Sequence, residues 1–301
     1  MSNRDIYRSQ VALLLRIVPF VSQISEFAIH GGTAINLFHS NMPRYSVDID
    51  ITYTPIEDRD TSLQNINRLL AELKSTLERH IPNIKIIHKP NVWKLLCTLN
   101  MAMVKIEVNG TKRGIVGNTI MQPLCESAQN DFHTTCTART VSITQLYGGK
   151  LAAALSRQHP RDLFDFTRMP YSFNEIRDGL MFALLGSDKP VIESLNPNPI
   201  DQHSALEQQF IGMTEQPFTY ADYEKARLDL HNFIQQGLTT NDKRLLLSFE
   251  SGEPDWSLSA MGDLSKYPSV QWKLLNIKNL QSTNTAKFAK GIEGLSKVLN
   301  I

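Results

Sequence analysis

The stretch that decides the fold runs from His30 to Ile51 and reads HGGTAINLFHSNMPRYSVDIDI. Its end alternates aliphatic and acidic side chains, so a strand there places Asp48 and Asp50 together on one face. The aliphatic positions, which we expect to face a core, are Val47, Ile49 and Ile51. Carboxylates two positions apart on a strand are roughly 6 to 7 Å apart, close enough to bind one divalent cation. The pair is a candidate metal site.

Upstream of the acidic pair, Gly31 and Gly32 precede residues that favour a helix. Glycine adopts backbone angles closed to other residues, and Thr33 lies where we expect the helix to begin. Backbone N–H groups at a helix N-terminus bind phosphate oxygens, and the Thr33 hydroxyl offers a further donor. An ordinary turn followed by two solvated aspartates is the alternative. The succession of both features within one short interval instead favours a triphosphate bound between turn and carboxylates.

The composition of the 301-residue chain is that of an ordinary globular protein. This length is enough for a substantial core and for two domains. With 31 basic and 30 acidic residues the chain has no overall polyanion-binding character, so nucleic-acid contact needs a local basic patch. Three cysteines, Cys97, Cys125 and Cys136, lack the spacing of a disulfide framework or a zinc site.

The N-terminal sequence MSNRDIYRSQ leads into a short apolar run that Arg16 and Pro19 interrupt. We find there no signal-peptide cleavage pattern and no run of about 20 apolar residues that could span a membrane. We therefore expect a cytoplasmic protein without a membrane segment.

Periodic patterns predict helices and strands on both sides of the deciding stretch. Apolar residues at helical spacing predict an early helix, bent or ended near Pro19, and a second, longer one between Leu63 and Leu77. Strand-like segments occupy residues 27–29, 84–87, 93–100 and 101–108. In the last of these, Glu107 alternates with aliphatic residues and can share the face of the aspartate pair. A surface glutamate is the equal alternative.

The second half of the chain reads as helical. Ser142 and Gln145 suit a capping box that opens a helix containing Lys150. After a break at His159-Pro160, Arg161 and Asp165 fall on one helix face. In a purely structural interpretation, Lys150 faces solvent, and Arg161 and Asp165 form a local ion pair.

Farther along, residues 174–212 show a looser pattern with turn signals. Closing helices are predicted around residues 223–233, 270–280 and 288–299. Trp256 and Trp272 are expected to be packing residues.

These motifs carry a family resemblance. GGT, a short helix and VDIDI resemble the first motif of the polymerase-beta-type nucleotidyltransferases, and the spacing is closer still to the AbiEii/AbiGii toxin branch. That motif more often has serine where Thr33 stands. KLAAALSRQHPRDLFDF is similar to the later motifs of the family, and LSFESGEPDW with VQWKLLNI resembles its C-terminal part. The likeness covers most of the chain.

The resemblance implies an α+β fold with two domains. Residues 1–140 would form a nucleotidyltransferase core, a mixed β-sheet packed with helices that carries the GGT and DxD motifs. Residues 141–301 would form a mainly helical domain that contributes Lys150 and Asp165 to the site.

The resemblance also implies roles for individual residues. The catalytic set would comprise Asp48, Asp50, Glu107, Lys150 and Asp165. The nucleotide-binding set would comprise Gly31, Gly32, Thr33, Arg44, Lys150 and Arg161. Asp48, Asp50 and Glu107 would bind Mg²⁺, or Mn²⁺ in its place. Lys150 would contact the triphosphate, and Asp165 would position that lysine or an incoming group.

The implied function is transfer of a nucleoside monophosphate from an NTP to an RNA, with tRNA as one candidate acceptor and release of pyrophosphate. The resemblance further implies the toxin of a type IV-like toxin–antitoxin or phage-defence system, neutralised by a cognate antitoxin protein. Two alternatives are transfer to a protein or small molecule, and a non-catalytic nucleotide-binding regulatory module.

Overall fold

The computed structural model describes residues 2–301, and the chain divides into two compact units. The first unit comprises the chain up to Ser142 together with Ser204–Pro217. The second comprises Ile143–His203 and Phe218–Ile301.

The first unit contains a seven-stranded mixed β-sheet. Its strands are β1 (Phe27–His30), β2 (Asp48–Tyr53), β3 (Lys85–Lys89), β4 (Lys94–Leu99), β5 (Ala102–Val108), β6 (Ile120–Pro123) and β7 (Thr137–Thr140). Their order across the sheet is β3-β4-β5-β2-β1-β7-β6. The β2–β5 and β1–β7 pairs are parallel and the other pairs are antiparallel.

Alternation of side chains in β2 gives this strand one apolar and one acidic face, as the sequence predicts. Ile49 and Ile51 are fully buried, whereas Asp48 and Asp50 are half-buried on the other face. Val47 is an exception: it is only half-buried, because it precedes the strand, which begins at Asp48. The strands predicted around residues 27–29, 84–87, 93–100 and 101–108 are confirmed as β1, β3, β4 and β5.

The helices of the first unit are α1 (Asn3–Ser22), α2 (Gly31–Thr33), α3 (Arg59–His80) and α4 (Glu126–Phe132). Both predicted long helices are confirmed, and α1 continues through Pro19 to Ser22. The prediction that a helix begins at Thr33 is wrong. Gly31 has a φ of +71° and turns the chain directly from β1 into α2, which continues as a π-helix over Ala34–His39.

A segment from the second half of the sequence packs on the first unit. The Tyr45 backbone N–H donates to the carbonyl of Met213 at 2.7 Å, and the Thr214 hydroxyl donates to the carbonyl of Pro43 at 3.0 Å. This explains why Ser204–Pro217 belongs to the first unit.

The second unit is helical. Its helices are α5 (Ile143–Arg157), α6 (Pro160–Thr167), α7 (Phe173–Leu185), α8 (Val191–Leu195), α10 (Tyr220–Gly237), α11 (Thr240–Glu250), α12 (Pro268–Thr283) and α13 (Thr285–Leu299); α9 (His203–Gln209) begins at its boundary. The predicted break at His159-Pro160 and the three predicted closing helices are confirmed. The protein is therefore α+β, a mixed sheet with helices followed by a mainly helical part.

Two expectations for the second unit are wrong. The region expected to be loose contains α7, at whose start the backbone N–H and the hydroxyl of Ser172 both donate to the Glu175 carboxylate. Trp272 is 55% exposed and so is not a core residue, whereas Trp256 packs edge-on against Phe249. Along residues 2–301, we find no helix with the length and apolar character needed to cross a membrane.

Candidate active site

The glycine turn of the first unit lies directly against the second aspartate. A Cβ atom placed on Gly31 would lie 2.8 Å from Oδ2 of Asp50, closer than real Cβ contacts allow. Gly31 also has a positive φ, which disfavours residues with a side chain. Glycine at this position therefore lets the carboxylate approach the backbone of the turn.

The second glycine lies against a buried cation. A Cβ atom on Gly32 would lie 2.9 Å from Nη2 of Arg44 and 2.9 Å from Oγ of Ser46. Arg44 is 3% exposed, and its Nη1 donates to the Tyr45 carbonyl at 2.8 Å. Gly31 thus lies against a carboxylate, and the adjacent Gly32 lies against a guanidinium.

Thr33 joins the turn to β2. Its hydroxyl is buried and donates to the carbonyl of Asp48 at 2.5 Å, with the Ser46 hydroxyl 3.1 Å away. This contact fixes the start of the acidic strand relative to the turn. The predicted contact of the Thr33 hydroxyl with a phosphate stays a prediction.

Glu107 shares the face of the aspartates. In the parallel β2–β5 pair Asp50 is the partner of Glu107, and Asp48 is the partner of Lys105. Both Glu107 oxygens are paired with ammonium groups: Oε1 with Lys94 Nζ at 3.0 Å and Oε2 with Lys105 Nζ at 3.0 Å. These two lysines are site residues that the sequence interpretation missed.

Charges on this face shift the pKa values of Lys105 and Glu107 apart. Burial acts to lower the pKa of Lys105, but its hydrogen bond to Glu107 and the charges of Asp48, Glu107 and Asp50 raise it overall. Burial acts to raise the pKa of Glu107, but its hydrogen bonds to Lys94 and Lys105 lower it overall. Both groups are therefore ionised at neutral pH.

Asp48 and Asp50 suit a divalent cation. They supply hard oxygen ligands from one face of a strand, half-exposed and next to the glycine turn. Within residues 2–301, no cluster of three or more His, Cys, Asp or Glu side chains has a metal-binding arrangement. The aspartate pair as a metal site and Glu107 as its third ligand both stay predictions.

The second unit contains a separate buried ionic cluster, formed where α5 meets α6. Nζ of Lys150 lies 2.9 Å from Oδ1 of Asp162 and 2.8 Å from Oδ2 of Asp165. Arg157 pairs with the other oxygen of Asp162 at 2.8 Å. The side chain of Lys150 is only 6% exposed, so it is not the solvent-facing lysine of the purely structural interpretation.

Ion pairing keeps the buried carboxylate of Asp162 charged. Burial acts to raise the pKa of Asp162, but the charges of Lys150 and Arg157 hold it well below its usual range. Arg161 lies in the first turn of α6, half-buried, and its backbone N–H donates to Nδ1 of His159. The predicted nucleotide contacts of Lys150 and Arg161 stay predictions.

The predicted residues thus fall into two groups. The first unit brings together the turn and the acidic face: Gly31, Gly32, Thr33, Arg44, Asp48, Asp50 and Glu107. The second unit brings Lys150 and Asp165 into contact and adds Asp162. Lys105 could have been found from its alternation with Glu107. Lys94 required the register of β4 with β5, which no local pattern reveals.

Comparisons with known proteins identify the family of the chain. The family model described as "Nucleotidyl transferase AbiEii toxin, Type IV TA system" matches residues 12–274. The chain belongs to the AbiEii toxin family. AbiEii toxins are nucleotidyltransferases of type IV toxin–antitoxin systems, so the chain is a nucleotidyltransferase, and its family implies an NTP substrate and a cognate antitoxin.

A solved structure shares the fold of this AbiEii toxin. It is MenT4, nucleotidyltransferase toxin Rv2826c from Mycobacterium tuberculosis H37Rv. The match has a TM-score of 0.61 and 13% sequence identity, and covers 92% of this chain and 95% of MenT4. A comparison with curated protein sequences returned no match.

Proposed function

We propose that this toxin transfers a nucleoside monophosphate from an NTP to a hydroxyl of an RNA, with tRNA as the first candidate, and that it requires Mg²⁺. The observation that carries the proposal is the turn itself, where the Asp50 carboxylate lies against Gly31 and the Arg44 guanidinium against Gly32. A triphosphate complexed with a divalent cation needs both an anionic and a cationic partner, and this turn offers both at adjacent residues.

Asp48 and Asp50 would bind the divalent ion, which would neutralise charge on the triphosphate. Arg44 would bind a phosphate oxygen, because guanidinium forms directed hydrogen bonds with phosphate. Backbone N–H groups of the turn would add further donors. Buried and hydrogen-bonded to the Tyr45 carbonyl, Arg44 is already oriented before any nucleotide arrives.

In the proposed reaction, the acceptor hydroxyl oxygen forms a bond to the α-phosphorus of the NTP. The bond from the α-phosphorus to its bridging oxygen breaks, and pyrophosphate leaves with the electron pair. The hydroxyl proton passes to a carboxylate. Lys94 and Lys105 lower the pKa of Glu107 and so weaken it as a base. Either Asp50, beside the turn, or Glu107 would accept the proton.

For the second unit we propose the roles that the family resemblance implies. Lys150 would contribute positive charge to the bound triphosphate, positioned by Asp165, and Arg161 would contact the nucleotide. The 2.8 Å pair between Lys150 and Asp165 supports the positioning role of that aspartate. We also propose that the toxin acts in the cytoplasm, with phage defence as the role of its toxin–antitoxin system.

The test is incubation of the purified protein with each labelled NTP, cellular RNA, bulk tRNA and cellular protein, with Mg²⁺, with Mn²⁺ or with EDTA. We expect labelled RNA only when a divalent ion is present. Asp48→Asn and Asp50→Asn should abolish labelling, and the exposed Asp60→Asn should not. Undiminished labelling by both site variants would contradict the proposed metal site.

The same experiment separates the alternatives. Label on protein or on a small molecule would replace RNA as the acceptor class. Metal-dependent NTP binding without any labelled product would favour a regulatory nucleotide-binding module.

A further inference from the structure

Charged side chains line up across neighbouring strands, from the aspartate pair to the edge of the sheet. Asp50 is the partner of Glu107 on β5, Glu107 is the partner of Lys94 on β4, and Lys94 is the partner of Lys89 on β3. Partners in a sheet share a face, so Asp50, Glu107, Lys94 and Lys89 form one line of side chains, here called the charge row. Strands lie about 4.8 Å apart, so the row spans roughly 14 Å.

The surface around the charge row is basic. The outward positions of β3, β4 and β5 are Lys85, Ile87, Lys89, Lys94, Leu96, Thr98, Met103, Lys105 and Glu107. They include four lysines and one glutamate. Although the whole chain is nearly neutral, the outward side of β3, β4 and β5 is therefore a local basic patch of the kind that nucleic-acid contact requires, and it borders Asp48 and Asp50 of β2.

The outer end of the charge row is open. Lys85 and Lys89 are exposed, Ile87 between them is 61% exposed, and β3 is an edge strand. In the described part of the chain, neither lysine has an ion-pair partner within 4.0 Å. An alternative explanation is that lysines on an edge strand prevent pairing with a strand of another protein. That explanation does not account for the position of Lys89 in the same row as Asp50.

We propose that Lys85 and the two lysines of the charge row, Lys89 and Lys94, bind the backbone of the single-stranded end of the RNA acceptor. This inference rests on the proposed function, because the acceptor hydroxyl must reach Asp50, where the row begins. Phosphates lie against Lys89 and Lys85 at the edge and against Lys94 farther in, and these contacts direct the terminal nucleotide to the carboxylates. The contacts are to phosphate, so they do not select a base sequence.

An acidic protein surface is the competing ligand for an exposed basic patch with apolar side chains. The observations favour RNA because the patch is continuous with the proposed site of transfer. An RNA acceptor must enter that site, whereas a protein that only binds the patch does not need to. Ile87 and Leu96 lie in the neighbouring row with Lys105 and Asp48, and they offer apolar contact for sugars and bases.

The test compares Lys85→Gln/Lys89→Gln with the wild type and with Lys287→Gln/Lys290→Gln. The control removes the same charge from exposed positions on α13. Binding of two 5′-fluorescein-labelled probes, a 12-residue oligoribonucleotide and bulk deacylated tRNA, is followed by anisotropy across a salt series. Loss of two phosphate contacts should weaken binding about tenfold at 0.1 M salt and reduce the slope of log K against log salt by about 1.4. The control should match the wild type.

An unchanged slope and affinity in Lys85→Gln/Lys89→Gln would overturn the proposal, as would a wild type that binds neither RNA. Binding of a polyglutamate peptide in preference to both RNAs would overturn it in favour of a protein partner. Mg²⁺-dependent NTP affinity of the wild type is measured separately. Its absence would contradict the proposed nucleotide site, while the RNA measurements would still decide the role of the charge row.

Discussion

Among single residues, Lys150 has a buried and doubly paired charge in the second unit. Its ammonium lies between the buried carboxylates of Asp162 and Asp165. Removing one partner of a buried ion pair leaves an uncompensated charge, which costs about 3 to 5 kcal/mol. We expect Lys150→Ala to lower the free energy of unfolding by about that amount in urea denaturation, and Lys150→Arg to lower it less. Lys297→Ala, which breaks an exposed pair with Glu293, should leave the free energy of unfolding nearly unchanged.

The same denaturation measured across pH separates ion pairing from packing. The pKa of Asp162 is lowered in the folded state, so its pairing stabilises the fold above the ordinary carboxyl pKa near 3.8. That contribution is lost as pH falls below this value toward the folded-state pKa. The stability difference between wild type and Lys150→Ala should therefore shrink in acid. A difference that stays constant from neutral pH to pH 3 would assign the loss to packing alone.

This stability effect bears on the predicted nucleotide contact of Lys150. If the lysine also binds triphosphate, Lys150→Ala should weaken Mg²⁺-dependent NTP binding by about one to two decades. The affinity must be measured on the fraction that remains folded. Equal affinities for wild type, Lys150→Ala and Lys150→Arg would limit Lys150 to its structural pairs.

At residue scale, the sequence predicted those features that depend on neighbours in the chain. The shared face of Asp48 and Asp50 follows from a period of two, and the turn follows from two adjacent glycines. The approach of Arg44 to Gly32 and the pairing of Lys94 with Glu107 depend on loop path and strand register. Those contacts lie between residues far apart in sequence, where no periodic pattern operates.

At the scale of elements, two glycines let α5 and α7 approach closely. A Cβ atom on Gly148 would lie 2.2 Å from the backbone of Gly179 and Leu180, and one on Gly179 would lie 1.9 Å from the carbonyl oxygen of Thr144. Backbone atoms cannot rotate away as a side chain can, so any added methyl group must separate the helices. These positions are consequently closed to every residue except glycine.

We expect Gly148→Ala to destabilise the protein by about 1 to 3 kcal/mol, the usual cost of overpacking a core. The adjacent Gly149→Ala is the matched control, because a Cβ atom there meets no atom within 4 Å. Alanine at that helical position should be neutral or stabilise by up to about 1 kcal/mol. Thermal and urea unfolding of both variants provide the measurement. Equal stability of the two variants would refute the close-packing argument.

Elements with strong periodicity were predicted from the sequence, and elements without it were not. The long helix α3 and the closing helices α12 and α13 follow from apolar spacing. The short strands β6 and β7 were missed, because four residues give too few alternations and both strands include polar side chains. Their places in the sheet come from their pairing with each other and with β1.

At the scale of the whole molecule, neither unit is a single continuous stretch of sequence. The sequence predicts an early sheet and a later helical part, yet Ser204–Pro217 returns to the first unit. Its hydrogen bonds to Tyr45 and Pro43 flank Arg44, the cation beside the turn. No change in composition distinguishes this segment from its neighbours in the sequence. It belongs to the first unit because of its contacts, which the sequence alone does not reveal.

Growth inhibition by the whole protein tests whether the proposed chemistry is responsible for toxicity. Membership of the AbiEii family makes growth inhibition the expected result of expressing this chain without its antitoxin. If inhibition results from nucleotidyl transfer, Asp48→Asn should remove it, because a neutral amide binds a divalent cation less strongly than a carboxylate. We therefore expect cells that express Asp48→Asn to grow like cells with an empty vector, and cells that express Asp60→Asn to arrest like those with the wild type. Growth curves at matched protein levels provide the measurement, and co-expression of a protein encoded beside the toxin should restore growth of the wild type. Equal inhibition by Asp48→Asn and wild type would show that toxicity does not require the proposed metal site.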